Sequence, residues 1–400
     1  MRSEETDVIV VGGGPAGMMA GYLLARAGVR VVVLEKHADF FRDFRGDTVH
    51  PSTMEILSEL GLLERFLQRP HTRITEARGF IGGREYVIGD LSHLGTPAPF
   101  IAMMPQWDFL DFLRDEAAVF PHFGLLMEAA VAGFITEGGR IAGVRLADGR
   151  ELHARLVIAA DGRSSLARQV LPVENLGAPM DVFWFQVPKS PELSLGLRGI
   201  VAPGTLMALI DRGAYWQCAY IFAKGQGAAL KAGGIAALRE RIEAAAPVLG
   251  PLGAVLTDLD QFHLLTVELD RLTCWQRPGL LAIGDAAHAM SPAGGIGINL
   301  AVQDAVAAAN VLAAPLRAGA DPDPLLHKVQ KRRMLPTRLV QAAQRAAQNR
   351  IIGRVLDPGL TTLRAPWVVR MLDRFPLLRR IPGRMIGLGV RREHVRSPCA

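Results

Sequence analysis

Short β-branched apolar runs alternate with stretches of helical periodicity in the first part of the chain. Asp7 to Val11 is such a run and predicts a strand buried on both faces of a parallel sheet. The segment Gly12-Gly13-Gly14-Pro15-Ala16-Gly17 follows at once. Met18 to Ala27, rich in Ala, Leu and Met, predicts a helix that stops at Gly28, and Val29 to Leu34 predicts a second strand, so these residues read as a βαβ unit. Phe44 to Pro51 reads as a loop carrying Arg45. Ser52 and Glu55 then have the spacing of a capping box opening a helix through Met54, Ile56, Leu57 and Leu60 to Gly61. Met104 to Ala118 predicts another helix, with Gln106 at its start, Phe109, Leu110, Phe112 and Leu113 inward, and Asp108, Asp111, Asp115 and Glu116 outward.

From Leu125 to Ala160 the pattern changes to short strands with turn signals at Gly138-Gly139 and Asp148-Gly149, a three-stranded meander ending in Leu156 to Ala160. That strand feeds Asp161-Gly162-Arg163-Ser164-Ser165. Asp181 to Phe222 and Asp260 to Leu269 are strand-like and rich in aromatics, with a helical insert from Ile235 to Ala246, and predict a separate sheet domain. Gly279 to Ile283 returns as a buried strand running into Gly284-Asp285-Ala286-Ala287-His288. Pro292 to Asn299 then leads into an Ala-rich helix reaching Leu316.

Composition narrows the class. Four hundred residues, at about 150 per domain, predict two to three domains with extensive cores. Half the residues are hydrophobic and 21% are charged, with 42 Gly and 25 Pro spread along the chain, which excludes disorder, collagen and coiled coil. A mean hydropathy of +0.20 points to large buried surfaces or an apolar ligand. No uncharged apolar run approaches the roughly 20 residues of a membrane-spanning helix. Arg2, Glu4, Glu5 and Asp7 before so short an apolar run argue for a strand rather than a signal peptide. Cys218, Cys274 and Cys399 are far apart and odd in number, without zinc spacing or a disulfide framework, so a reducing cytoplasm is expected and a metal is not.

The net charge of +6 is local. From Arg364 to the end, nine arginines against Asp373 and Glu393 give +7, leaving −1 for everything before. The folded body has no basic excess for a nucleic-acid groove, so nucleic acid is not an expected partner. In the tail, Trp367, Val368, Met371, Leu372, Phe375, Leu377, Leu378, Ile381, Met385 and Ile386 interleave with arginines and are broken by Pro366, Pro376 and Pro382, which predicts short amphipathic helices. Two readings stand: a helical cap packed on the domain, the commoner use of such helices, and attachment to an anionic membrane surface or a lid over a lipophilic substrate.

The chemistry lies in the turns. Gly12, Gly14 and Gly17 fit GxGxxG between strand and helix, and Glu35 follows 21 residues after Gly14, where an acid can bond a ribose hydroxyl. Gly12 permits the tight turn, Gly14 admits a pyrophosphate close to the backbone, Gly17 lets helix and strand pack, and the helix N-terminus favours negative charge. Taken with Asp161-Gly162-Arg163-Ser164-Ser165 and with Gly284-Asp285-Ala286-Ala287-His288, Pro292 and Gly297-x-Asn299, these residues give the chain an order of motifs that resembles the single-component FAD-dependent aromatic hydroxylases, the para-hydroxybenzoate hydroxylase-like flavoprotein monooxygenases, over residues 5 to 315.

The resemblance implies an α/β fold class: a Rossmann-like FAD-binding domain from residues 1–175 and 270–320 with a three-stranded β-meander, an antiparallel-sheet substrate domain over 176–269 with some contacts from 45–105, and a helical C-terminal region over 321–400. It implies that Gly12, Gly14, Pro15, Ala16, Gly17, Glu35 and Lys36 hold the ADP half of FAD, and that Arg45 and Gln106 contact the flavin. Asp285, with Gly284, would bind the ribityl-pyrophosphate region. The backbone of Gly295, Ile296, Gly297, Ile298 and Asn299 would meet the flavin ring, where a helix N-terminus stabilises anionic reduced flavin. Asp161 and Gly162, with Arg163 near, would serve FAD and a transient NAD(P)H; the absence of a second GxGxxG agrees with a nicotinamide that only visits. Pro292, Gly295 and Gly297 are the implied catalytic turn, the Pro292 carbonyl facing the ring; for Pro292 alone, simple helix entry is the other reading. For His288, bracing the turn by hydrogen bonding is favoured over acting as a base. Ile296 departs from the family, which often has a polar residue there.

The implied reaction takes electrons from NAD(P)H and one atom of O₂, through a flavin C4a-hydroperoxide, to hydroxylate an aromatic or polycyclic, lipophilic small molecule. The protein's part is orientation and a dry enclosure. Trp184 and Gln186 on one strand, and Tyr215 and Gln217 on another, are the candidate substrate contacts, against plain core for such aromatics. No tryptophan-x-tryptophan-x-isoleucine-proline segment of the flavin halogenases occurs. A flavin reductase or dehydrogenase of similar fold, such as an isoprenoid double-bond reductase, and a flavin redox sensor without turnover are the rival functions.

Overall fold

Val8, Ile9 and Val10 are shut off from solvent because their strand, Thr6–Val11, lies inside a parallel sheet. The computed structural model describes residues 6–41, 48–189, 197–202, 204–355 and 364–400. Among these, the sheet runs in the order Gln276–Arg277, Leu280–Ala282, Glu151–Ala159, Thr6–Val11, Val31–Leu34, Phe123–Leu126, and its last five strands are mutually parallel. Val131–Glu137 and Arg140–Leu146 join antiparallel to the first half of Glu151–Ala159, forming the meander expected from the turn signals. Leu125 and Leu126, expected to begin that meander, instead pair parallel with Val33 and Leu34.

The first helix spans Pro15–Arg26, three residues earlier than its Ala/Leu content predicts, because proline is well suited to the first helical position and Gly14 caps the end. The capping box at Ser52 does not form. That helix, Pro51–Glu59, starts two residues sooner with His50 at its cap, Ser52 is buried within it, and Glu55 is drawn off to Arg392 at 2.8 Å. The helix Gln106–Ala117 buries Phe109, Leu110, Phe112 and Leu113 as expected.

A second sheet runs His263–Thr266, Met180–Pro188, Tyr215–Ala223, Thr205–Asp211, Leu197–Ala202, Glu76–Ile81, Arg84–Asp90. Its pairings are antiparallel except where Leu197–Ala202 meets Glu76–Ile81 in parallel, so two strands from residues 76–90 belong to the sheet foreseen only for the later segment. One face of it, carrying Phe183, Phe185, Trp216, Cys218 and Tyr220, packs under Leu238 and Ile242 of the helix Gly234–Ala245. A small sheet of Thr48–Val49, Ile101–Met103 and Thr72–Ile74 adjoins the two larger ones.

The helix Gly297–Arg317 is long and apolar enough to span a bilayer, yet 72% of its most apolar window is buried, against the first helix among others. The helix Asp323–Val355 and two short ones, Trp367–Arg374 and Arg380–Leu388, complete the fold, the latter two packing on Arg84–Asp90.

Candidate functional site

The three motifs come together because their strands are neighbours in register. Leu34, Val11, Ala159 and Ala282 form one row across the parallel sheet. Everything after that row leaves from the same carboxyl edge: Gly12 donates its N–H to Leu34 O at 2.7 Å, Ala160 to Val11 O at 2.8 Å and Ile283 to Ala159 O at 2.9 Å. Gly12, Glu35, Asp161 and Gly284 thus start their turns side by side, although up to 272 residues separate them in the chain. This is the crevice in which open α/β sheets bind ligands.

Each glycine of the first motif meets a different constraint. Gly12 has φ +103, and a Cβ there would lie 2.6 Å from Ala160 O. At Gly17 a Cβ would run into the carbonyl oxygen of Gly12. At Gly14 a Cβ would meet nothing within 4 Å, so that glycine faces open space at the helix N-terminus. Glu35, 8% exposed, spans the mouth of the turn, accepting from Gly13 N at 3.0 Å and His37 N at 3.1 Å. Pro15 is half-buried, Ala16 buried and Lys36 exposed.

Asp161 accepts from Leu166 N at 3.3 Å through Oδ2, while its buried Oδ1 has no partner. Burial pushes its carboxyl above the usual carboxylate range, against the hydrogen bonds that lower it. Gly162 beside it has φ +81 and open space. Gly284 serves packing: a Cβ would lie 3.0 Å from Ala16 Cβ and 3.3 Å from Ala301 Cβ, where the first helix meets Gly297–Arg317. Arg168 holds the next residue from behind, donating to Asp285 O at 2.8 Å and to Asp270 Oδ2 at 2.8 Å.

His288 is a brace. Its Nε2 lies 2.6 Å from Asp304 Oδ2, which also accepts from Gly284 N at 3.0 Å, and Arg333 Nε donates to Asp304 Oδ1 at 2.8 Å. All three side chains are buried. Burial alone would raise the Asp304 carboxyl, but His288 and Arg333 hold it below the usual range. Asp304 and Arg333 were not anticipated from sequence; the available signal is that Asp304 is the one acid in the helix GINLAVQDAVAAANVLAAPLR.

The turn before that helix is clamped to the small sheet. Thr48 Oγ1 donates to Gly295 O at 3.0 Å, and a Cβ on Gly295, at φ +62, would collide with the same hydroxyl. The Asn299 side chain ties the turn to the neighbouring helix, its Nδ2 donating to Gly295 O at 3.5 Å and its Oδ1 accepting from His50 N at 3.1 Å and Thr53 Oγ1 at 2.7 Å. Asn299 N–H bonds Ile296 O, so the unpaired amides of the first helical turn fall earlier, around Gly297 and Ile298. The Pro292 carbonyl, expected to face a flavin, accepts Gly295 N–H at 3.1 Å inside the turn. Gln106 opens its helix next to Trp107, which packs on Phe41 at 4.8 Å between ring centres. Arg45 lies outside the described residues.

The second sheet separates its four candidates. Gln217 is buried, with Oε1 accepting from Arg212 Nε at 2.9 Å and Nη2 at 2.8 Å, so it is a partner for a half-buried cation rather than an open hook. Burial lowers Arg212 to about 10. Gln186 is exposed, and Tyr215 stands opposite Pro188 at the strand's end. Trp184 alone points into an apolar cluster, with Met103, Ile210, Leu197 and Ile386, and its buried Nε1 has no partner. On the same face, in register with Trp184, lie Ala219 and Ala208, then Gly199, all small.

His50 caps the helix Pro51–Glu59. It is fully buried at the join of these parts, and its Nδ1 lies 2.8 Å from Ile386 O, so Nδ1 carries the proton and the unpartnered Nε2 is a bare acceptor. Burial pushes it down to about 4.

These residues fit a flavin dinucleotide. The open front of Gly14 admits a pyrophosphate, the orphaned Asp161 oxygen accepts a hydroxyl, and first-turn amides of two helices supply donors. Comparison with known proteins agrees. Residues 5–343 match the FAD binding domain family. A 6-methylpretetramide 4-monooxygenase of Streptomyces rimosus is 33% identical over 98% of this chain and 94% of its own. A rifampicin monooxygenase of Streptomyces venezuelae is 31% identical over 75% of this chain, which spans 62% of that longer protein. Among solved structures, a probable FAD-dependent monooxygenase from Pseudomonas aeruginosa superposes with a TM-score of 0.74 at 24% identity, covering 89% of this chain and 99% of that one.

Proposed function

Because this chain belongs to the FAD binding domain family and is a flavoprotein monooxygenase, we propose that it uses NAD(P)H and O₂ to hydroxylate an aromatic or polycyclic small molecule held against the Trp184 face of the second sheet. The observation that carries the substrate reading is that face itself. Where the opposite face is filled by Trp216, Tyr220 and phenylalanines, this one presents Gly199, Ala208 and Ala219 beside an indole N–H with nothing to bond. A flat apolar molecule with one acceptor satisfies both features. The relatives acting on 6-methylpretetramide and rifampicin support a substrate of this kind.

When bound, FAD supplies the electron transfer from NAD(P)H and the activation of O₂. The chain's own residues do the rest. Gly14, Ala16 and Gly17 take the pyrophosphate on backbone amides, Gly12 and Pro15 shape the turn that presents them, Glu35 and Lys36 take the adenosine ribose, and Asp161 and Asp285 the hydroxyl-bearing linker. Gln106 and the turn of Pro292, Gly295, Ile296, Gly297 and Ile298 border the reacting ring, where helical amides favour negative charge. Asn299 acts through its clamp on Thr53 and His50. Ile296, Met103 and Ile210 exclude water. Cys218, Cys274 and Cys399, none of them in a disulfide, agree with a reducing cytoplasm as the site of action.

The test is turnover by the purified protein. It should be yellow, consume NAD(P)H faster when polycyclic phenols are added, and place ¹⁸O from ¹⁸O₂ in the product. Product formed without the label would replace hydroxylation with a reductase reaction, and NAD(P)H oxidation without product would leave a redox sensor.

A further inference from the structure

We propose that the arm Trp367–Leu388 docks this enzyme on the surface of an anionic lipid bilayer. The two helices of the arm have an inner and an outer side. Inward, Gly383 lies so close to Asp90 that a Cβ would strike its carbonyl, Gly387 packs at Leu94 and Leu91, and Leu388 and Ile386 join the Trp184 cluster. Outward, Trp367 is 67% exposed, Leu377 70%, Ile381 62%, Phe375 55% and Met385 51%. A cap whose purpose ended at packing would not place five large apolar side chains in water.

Their spacing is regular. Trp367 and Met371 lie one turn apart on the first helix and Ile381 and Met385 one turn apart on the second, and the link between them, Phe375 to Arg379, adds the exposed Phe375 and Leu377, giving each segment an apolar stripe. Arg370 and Arg374 precede the members of the first stripe by one residue, and Arg380 and Arg384 those of the second, so each apolar stripe is bordered by an exposed row of guanidinium groups. The one acid in the arm, Asp373, is already committed to Arg84 at 2.9 Å and to Arg379. An acidic protein partner would meet the charges but leave the apolar stripes in contact with its polar surface. A bilayer of anionic lipid meets both, with side chains entering the acyl boundary and arginines at the phosphates. The inner side of the same arm walls the apolar cluster and accepts the His50 hydrogen bond, so lipid contact and the chamber share one element.

The experiment is sedimentation of the FAD-loaded full chain with vesicles of phosphatidylcholine alone and of phosphatidylcholine mixed with phosphatidylglycerol. Partition should favour the anionic vesicles by about a hundredfold and weaken as salt is raised. Arg370→Gln/Arg374→Gln/Arg380→Gln/Arg384→Gln should abolish that preference, and Trp367→Ser/Phe375→Ser/Leu377→Ser should release the protein from both vesicles. Neither set touches the Trp184 cluster, so flavin content should be unchanged in both. Failure of the wild-type chain to sediment with anionic vesicles overturns the proposal. So does equal binding by the variants, or a dimer in analytical ultracentrifugation that the serine variant dissolves, which would make a second copy of the chain the occupant.

Discussion

The carboxyl edge of the first sheet and the inner face of the second are built on opposite terms. At the edge, backbone does the work: glycines without side chains, amides at helix ends and one row of registered residues from Leu34 to Ala282. On the second sheet, side chains decide, since the strand backbones are consumed in pairing and only the choice between large and small residues distinguishes the aromatic-filled face from the one lined by alanine and glycine. A site made of backbone tolerates little variation in sequence but serves any member of a family with the same cofactor. A site made of side chains can be refitted to a new substrate without disturbing the fold.

Substitutions can break that contrast. The largest effect is expected for Trp216→Ala on the packed face, where removing a buried indole should destabilise the chain by about 3–5 kcal/mol in chemical denaturation and leave flavin content per folded molecule unchanged. Gly17→Ala should lose about 1–3 kcal/mol and most of the flavin together, because its new Cβ must displace the Gly12 carbonyl.

His50 tests the join between the two regions. Its folded pKa of about 4 lies below the ordinary 6.5, so the unfolded chain takes up a proton that the folded chain refuses. Stability is complete above about pH 6.5 and declines as pH falls towards 4, with about 2 kcal/mol gone at pH 5. Unfolding free energies from urea titrations at pH 7 and 5 should differ by that amount in the wild type, and the difference should shrink by the same amount in His50→Asn.

The next contrast is one of sign. Gly14 has φ −74 and room for a methyl group, so Gly14→Ala should keep or slightly raise the melting temperature while weakening FAD about tenfold in a fluorescence titration. A loss of stability there would mean that Gly14, like Gly17, serves packing. Smallest is Trp184→Phe, which removes only the indole N–H: KM for the substrate should rise about fivefold, with flavin binding and melting temperature unmoved.

The motifs that could be read from the chain are those whose physics is local. Gly12, Gly14 and Gly17 between an apolar run and an Ala-rich helix, with Glu35 at the next strand's end, allow little other than a nucleotide turn. Local reasoning failed where distant residues compete for the same group. Ser52 and Glu55 spell a capping box, yet Arg392, from the far end of the chain, takes Glu55. Gln217 alternates onto the same face as Trp184, yet Arg212 occupies it. Nothing near residue 80 announces that its strands will extend a sheet begun at residue 180.

By itself the sequence determined which segments become strand, helix and glycine turn, and so the class of cofactor, because backbone conformation answers to neighbours a few positions away. Only the tertiary structure decided that Leu34, Val11, Ala159 and Ala282 stand in one row, that His288 and Arg333 both meet Asp304 out of water, and that Ile386 reaches back to His50. Those are pairings across tens to hundreds of residues. They are selected by burial and charge acting through space, for which linear spacing carries no record.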